Sequence, residues 1–273
     1  DRWYRQCFFT DIDNDNDVDL WVSSVTAMNK HGYKNFPLWT EEGWSTEAEK
    51  AVTTVFLNNG DGTFSDMGSA AGFHALDIMG GSRADWNNDG WIDILGGPGG
   101  PMIGMTLPIL FYENNQRGAF ELKSPLLEPS LWGKLHGSGW GDYNRDGALD
   151  LVTNNGGITP GDEFRTQLWR NIGNDNNWLI LRLDAKSAGT NRHAVGARVT
   201  VTAGELTQTR ELWVGDGLLS SNYRLHFGLG QNPSIDEVVI RWPNSQHTET
   251  VLTNVPINKA FVVTEEGLEE ELY

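Results

Sequence analysis

The sequence predicts an all-β chain in two parts: repeated loop-and-strand units, then a β-sandwich. Three observations point there. Glycine (32) and tryptophan (12) are abundant in 273 residues, which suits short strands, tight turns and aromatic cores. Helical periodicity is scarce, and its best candidate, Glu41 to Val52, is short. An acidic nine-residue pattern recurs three times, each time ahead of an apolar strand.

The first copy is Asp11-Ile12-Asp13-Asn14-Asp15-Asn16-Asp17-Val18-Asp19, followed by Leu20-Trp21-Val22. The second runs from Asp85 to Asp93 and leads into Ile94-Leu95. The third runs from Asp142 to Asp150 and leads into Leu151-Val152. Crowded carboxylates repel, and no packed core selects them. Oxygens at positions 1, 3 and 5 of a tight loop converge on one point. Gly or Asn at position 6 permits a left-handed turn. The carbonyl of position 7 then faces that point, and the Asp at position 9 closes the shell, as in the first half of an EF-hand loop. All-oxygen ligation rich in carboxylates suits Ca²⁺ rather than Zn²⁺. The candidate ligands of the first loop are Asp11, Asp13, Asp15, Asp17 and Asp19. Those of the second are Asp85, Asn87, Asp89, Trp91 and Asp93, and those of the third are Asp142, Asn144, Asp146, Ala148 and Asp150. The expected cofactor is Ca²⁺, one ion per loop and about three in all, acting as a structural staple.

A second signature follows each strand. Val55 to Phe64 reads strand, Asn/Gly turn, strand, and Leu110 to Phe120 repeats it. Gln167 to Asn174 is the third copy and lacks the closing Gly-x-Phe. The units span about 8–64, 82–120 and 138–173. Their inserts, 23–53, 96–108 and 154–166, are where binding residues tend to sit on a rigid scaffold.

On these motifs residues 1–173 resemble FG-GAP/VCBS repeats, the calcium-loop blades of integrin-type β-propellers. The resemblance implies radially stacked four-stranded sheets. Three units are fewer than the roughly four to eight blades of a closed ring. The chain therefore reads as the C-terminal part of a longer propeller, with closure by a partner chain as the alternative. Its first residue is Asp1, so it also reads as a processed product or a fragment.

From Asn177 the repeat stops, and apolar alternation marks strands at Trp178–Leu183, Ala197–Ala203, Thr207–Val214, Tyr223–Phe227, Glu237–Trp242, Thr248–Leu252 and Ala260–Thr264. Residues 177–265 resemble the ASPIC/UnbV domain. The resemblance is carried by Asn177-Trp178-Leu179, Asn191 to Val199, Gly215 to Asn222, Leu225 to Gly230 and Val238 to Pro243. Trp242-Pro243-Asn244-Ser245 departs from the family, which has Gly after a small polar residue. Blades followed by this domain are the arrangement of cartilage acidic protein and of bacterial secreted relatives. That implies an extracellular calcium-binding protein of adhesive or matrix type. Asn191, Arg192 and Arg198 are polar candidates for a carboxylate or sugar, against a plain loop-buttressing role. Residues 266–273 read as a solvated acidic tail.

A net charge of −17 excludes nucleic acid and anionic membrane as expected partners. No apolar run is long enough to span a membrane. The expected partners are an extracellular protein or glycan, or the chain itself. The expected location is secreted or cell-surface, and bacterial, because the Asn-rich sequence has no glycosylation sequon. The single Cys7 reads as a small buried residue. His31, His74, His136, His193, His226 and His247 fit no catalytic pattern, so no catalytic residue is expected. The alternatives are a polysaccharide-processing enzyme on a propeller scaffold and an accessory protein of natural-product biosynthesis.

Overall fold

The computed structural model describes residues 3–25, 39–40, 43–44, 53–73, 78–98, 107–123, 132–156, 164–187, 189–215 and 223–270. Much of the three inserts, His31 and His74 lie outside these residues, as does the helical candidate at 41–52 apart from Gly43–Trp44, which is strand rather than helix. Most of the Gly215 to Asn222 motif also lies outside them. The described chain is β-structure with one short 3-10 turn, Gly68–Ala71. No helix among these residues is long and apolar enough to cross a membrane.

Blade 1 consists of β1 (Trp3–Thr10), β2 (Asp19–Val25), β5 (Thr54–Asn58) and β6 (Phe64–Asp66), antiparallel in the order β1-β2-β5-β6. A short ribbon of β3 (Trp39–Thr40) and β4 (Gly43–Trp44) lies within its insert. Blade 2 repeats the plan with β7 (Ile78–Ala84), β8 (Asp93–Pro98), β10 (Leu110–Asn114) and β11 (Phe120–Leu122). Blade 3 has β13 (Leu135–Gly141), β14 (Asp150–Asn155) and β15 (Gln167–Trp169). Among the described residues it has no fourth strand, in keeping with the absent Gly-x-Phe. β9 (Leu107–Pro108) pairs with β12 (Trp132–Gly133) between blades 2 and 3.

Each unit therefore begins with a strand before the acidic loop. Sequence reading put the start of each unit a few residues too late. The first strands carry few consecutive apolar residues, and each shifts register at the same place: between Tyr4 and Gln6, Ile78 and Gly80, and Leu135 and Gly137. The extra residue breaks the two-residue alternation that would have announced the strand.

Aromatic side chains fill the interfaces between blades. Phe8 stacks on Trp21 with centroids 4.6 Å apart. Phe73, arriving from the 3-10 turn, meets Tyr112 at 4.8 Å and Phe120 at 4.9 Å. Leu95 and Ile109 of the blade 2 segment pack on Leu135 and Leu151 of blade 3. Cys7 is exposed rather than buried. Strand alternation sends Phe8 inward and turns Cys7 and Phe9 out.

The C-terminal part is a sandwich of two four-stranded sheets. One has the order β19-β16-β22-β23: β16 (Asn177–Leu183), β19 (Arg224–Gly230), β22 (Lys259–Thr264) and β23 (Gly267–Glu270). The other has the order β18-β17-β20-β21: β17 (Arg198–Ala203), β18 (Leu206–Glu211), β20 (Glu237–Arg241) and β21 (Glu249–Leu252). Leu181, Val199, Phe227, Ile240 and Trp242 fill the space between them. The acidic tail is a correction. Gly267–Glu270 is an edge strand paired with β22, and Leu268 packs against the core. A single inward leucine among carboxylates is a weak apolar signal, and charge on an edge strand guards it against further pairing. The domain therefore extends at least to Glu270.

Candidate metal centres

The three acidic loops join the first and second strands of their blades. Each contains two left-handed residues. Position 6, argued from sequence, has φ of 78° at Asn16, 92° at Gly90 and 85° at Gly147. Position 4, which sequence reasoning missed, has φ of 54° at Asn14, 57° at Asn88 and 65° at Arg145. Two such residues curl the loop so that backbone N–H groups point inward.

The position 1 carboxylate accepts several of these. Asp85 takes Asp89 N–H at 3.1 Å and Gly90 N–H at 2.9 Å, and Asp142 takes Asp146 N–H at 3.1 Å and Gly147 N–H at 2.9 Å. Asp11 takes Asn16 N–H at 3.2 Å. Asn87 and Asn144, at position 3, accept the position 5 N–H at 3.0 and 3.3 Å. Asp15, Asp89 and Asp146, at position 5, accept the N–H of Asp17, Trp91 and Ala148. The position 9 carboxylates have a second duty. Asp19 accepts Ile12 N–H at 2.7 Å and Asn58 N–H at 2.8 Å, and Asp150 accepts Tyr143 N–H at 3.0 Å and Asn171 N–H at 2.8 Å. Asp93 accepts Asn114 N–H at 2.9 Å. Each thus ties its loop to the hairpin of its own blade, and each oxygen keeps a further lone pair.

Loop 1 gathers Asp11, Asp13 and Asp15 so that one oxygen from each lies within 4.8 Å of the others. Asp11 Oδ1, Asp13 Oδ1 and Asp93 Oδ2 are buried and accept no hydrogen bond. Burial pushes Asp11 up to about 7, opposed by Arg210 and reinforced by Asp19. Burial, with Asp89 adding to it, pushes Asp85 up to about 7. Burial raises Asp19 to about 6 and Asp93 well above the usual carboxylate range. Asp13, Asp89 and Asp142 are raised by the same cause. Buried oxygen donors with unused lone pairs fit a hard divalent cation, and Asp11, Asp13 and Asp15 would hold it first.

Sequence reasoning also missed how the loops are joined. Asn114 of blade 2 donates to Ile12 C=O of blade 1 at 2.8 Å, and Asn171 of blade 3 donates to Trp86 C=O of blade 2 at 2.8 Å. Asn14 reaches Gly90 C=O and Asn88 reaches Gly147 C=O, both at 3.2 Å. The signal was present in the repeated Asn at 58, 114 and 171, read only as turn residues.

The sandwich covers all three loops. Each position 6 carbonyl receives one of its side chains: Arg198 donates to Asn16 C=O, Arg210 to Gly90 C=O at 3.3 Å, and His226 Nε2 pairs with Gly147 C=O at 3.1 Å. Gly228 N–H donates to Asp85 at 3.0 Å and Gly230 N–H to Asn88 C=O at 2.8 Å. Burial depresses His226 to about 4, so it is neutral and donates from Nε2. Of the other polar candidates, Asn191 bonds Val195 within its own turn, and Arg192 sits 3.5 Å from Asp184 at the surface. His193 stacks on Tyr223 at 4.6 Å. Between the loop ends of the blades and the sandwich lies a cavity of about 720 Å³, bordered by Phe9, Arg83, Trp140, Trp213, Arg224 and His226.

The family model described as FG-GAP-like repeat matches residues 85–153. The family model described as ASPIC and UnbV matches residues 187–270. No curated protein matches the chain. The repeat match covers loops 2 and 3 with the strands between them, and the second match covers most of the sandwich. The chain is thus a propeller-type protein that carries FG-GAP-like repeat and a C-terminal ASPIC and UnbV domain.

Proposed function

We propose that this chain is a non-catalytic, calcium-binding adhesion or surface-assembly protein, secreted or held at a bacterial cell surface, that recognises an extracellular protein, a glycan or its own copies. The observation that carries the reading is loop 1, where buried Asp11 and half-buried Asp13 each keep a buried oxygen without a donor beside Asp15. Buried carboxylates left without a positive partner destabilise a fold, and an ion per loop removes that cost. Thermal unfolding by circular dichroism, with light scattering on the same samples, tests it in millimolar calcium and in excess chelator. Chelation is expected to lower the unfolding temperature or break an assembly. Identical curves would remove the calcium reading.

The second reading, a polysaccharide-processing enzyme, draws on the cavity, whose border includes Arg83, Arg145, Arg224 and His226. Guanidinium groups beside an aromatic-lined hollow suit a carboxylated sugar. Incubation with acidic polysaccharides and a count of new chain ends decides it. Turnover would replace the adhesive reading.

A further inference from the structure

Arg210 projects from β18 of the sandwich into the junction of loops 1 and 2, and only 8% of its surface is exposed. A buried guanidinium needs compensation, yet its hydrogen bonds go to neutral oxygens. Nη2 donates to Gly90 C=O at 3.3 Å and to Gln208 Oε1 at 2.9 Å, and Nη1 donates to Thr209 C=O at 3.0 Å. Nε is buried with no acceptor. Asn14 of loop 1 donates to the same Gly90 carbonyl, so Arg210 lies where the two loops meet, and the compensating charges act through space, chiefly from Asp85 and Asp11 and more weakly from Asp89, against the nearby Arg83 guanidinium. Position 1 of loop 1 and position 1 of loop 2 therefore share one positive charge that is not hydrogen-bonded to either: Asp11 Oδ1 has no donor, and among the described residues Asp85 accepts only the N–H groups of Asp89, Gly90 and Gly228. Loop 3 is met at the equivalent carbonyl by His226, which is neutral.

We propose that Arg210 is a resident counter-cation for loops 1 and 2: it holds their carboxylates together while no metal is bound, and its charge opposes the divalent ion those loops take up. The inference rests on the calcium reading above. Arg210 is a positioning residue rather than a ligand. Its fixed charge and the ion's share the same carboxylates, so each weakens the benefit of the other, and that coupling is reciprocal. The sandwich in this way sets how strongly the first two loops depend on calcium.

The test compares the full-length wild-type chain with R210M, which keeps length and apolar stem but removes the charge, and with R210K, which keeps the charge but not the fork. Calcium-induced shifts in unfolding temperature and calcium affinity by titration calorimetry are read on all three. R210M is expected to lose more stability in chelator than in calcium, and its calcium-induced shift to exceed the wild type's. Its affinity in the tighter phase is expected to rise by about tenfold. R210K is expected to keep the wild-type shift. R210M that folds only with calcium is the strongest form of the expected result. A calcium shift in R210M no larger than in the wild type overturns the proposal. So does R210M that stays unfolded in calcium, because the ion then cannot stand in for the guanidinium, or R210K whose shift matches an enlarged R210M shift. A wild-type chain indifferent to calcium removes the calcium reading first and this inference with it.

Discussion

Asn114 and Asn58 sit at the same place in successive hairpins but do different amounts of work. Asn114 is buried and donates to carbonyls of two blades, Ile12 at 2.8 Å and Ile92 at 3.1 Å. Asn58 donates to Val18 C=O of its own blade at 3.2 Å. Removing a buried donor strands its acceptors at about 1–3 kcal/mol each. Asn114→Ala is therefore expected to cost about 2–4 kcal/mol and Asn58→Ala about 1 kcal/mol, read by urea denaturation in calcium. Equal losses would mean that the contact between blades adds nothing.

The loop carboxylates set the pH dependence of the ion-free chain. Asp11 and Asp85 are raised by burial to about 7 and Asp19 to about 6, from 3.8. A raised folded pKa means the folded chain holds protons that the unfolded chain has released. The resulting stability is complete below about pH 4 and is lost as pH rises toward 7. His226 works the other way: burial lowers it from 6.5 to about 4, so its contribution is present above pH 6.5 and lost below. Three carboxylates outweigh one imidazole, so the unfolding temperature in chelator is expected to fall between pH 4 and pH 7. Calcium should reverse that slope by displacing the protons. Calorimetry at pH 6 in buffers of different ionisation enthalpy should then report proton release on calcium binding.

At the scale of the element, position 6 of each loop is matched to what lies above it. A Cβ on Gly147 would overlap the Trp178 indole, and one on Gly90 would lie 2.5 Å from Leu206 Cδ2. Both residues are also left-handed. Loop 1 carries Asn16 instead, because there its side chain is used: Arg198 and Thr209 both bond Asn16 Oδ1. Gly147→Ala is expected to cost about 2–4 kcal/mol, from strain and overlap together. Adding Trp178→Ala should recover part of it, because the two residues share one contact. Additive losses in the double-mutant cycle would show that backbone strain alone sets the cost.

At the scale of the whole molecule, the sandwich has its own core, which includes Leu181, Phe227 and Trp242, while the loops join the blades to one another and to β18 and β19. In calcium the chain is expected to unfold as one cooperative unit. In chelator the calorimetric trace is expected to split into an early blade transition and a later sandwich transition, because only the blades depend on the ion. A single transition in both conditions, at one temperature, would mean that the loops do not link metal to docking.

The all-β class, the three acidic loops, the hairpin after each of them and the sandwich were legible in the sequence. They depend on local spacing: carboxylates at alternate positions, Gly or Asn where φ is positive, and two-residue alternation. The strand before each loop was hidden by its bulge. Gly267–Glu270 was hidden by its charge, and Cys7 was misplaced because an apolar neighbourhood does not say which face of a strand turns inward. Contacts between distant residues were decided by the tertiary structure alone. Asn114 meets Ile12, and Arg210 and His226 reach loops 2 and 3, only because the blades stack and the sandwich folds back over the loop ends. No spacing along the chain encodes those meetings. They arise where separate elements bury their remaining polar groups against one another.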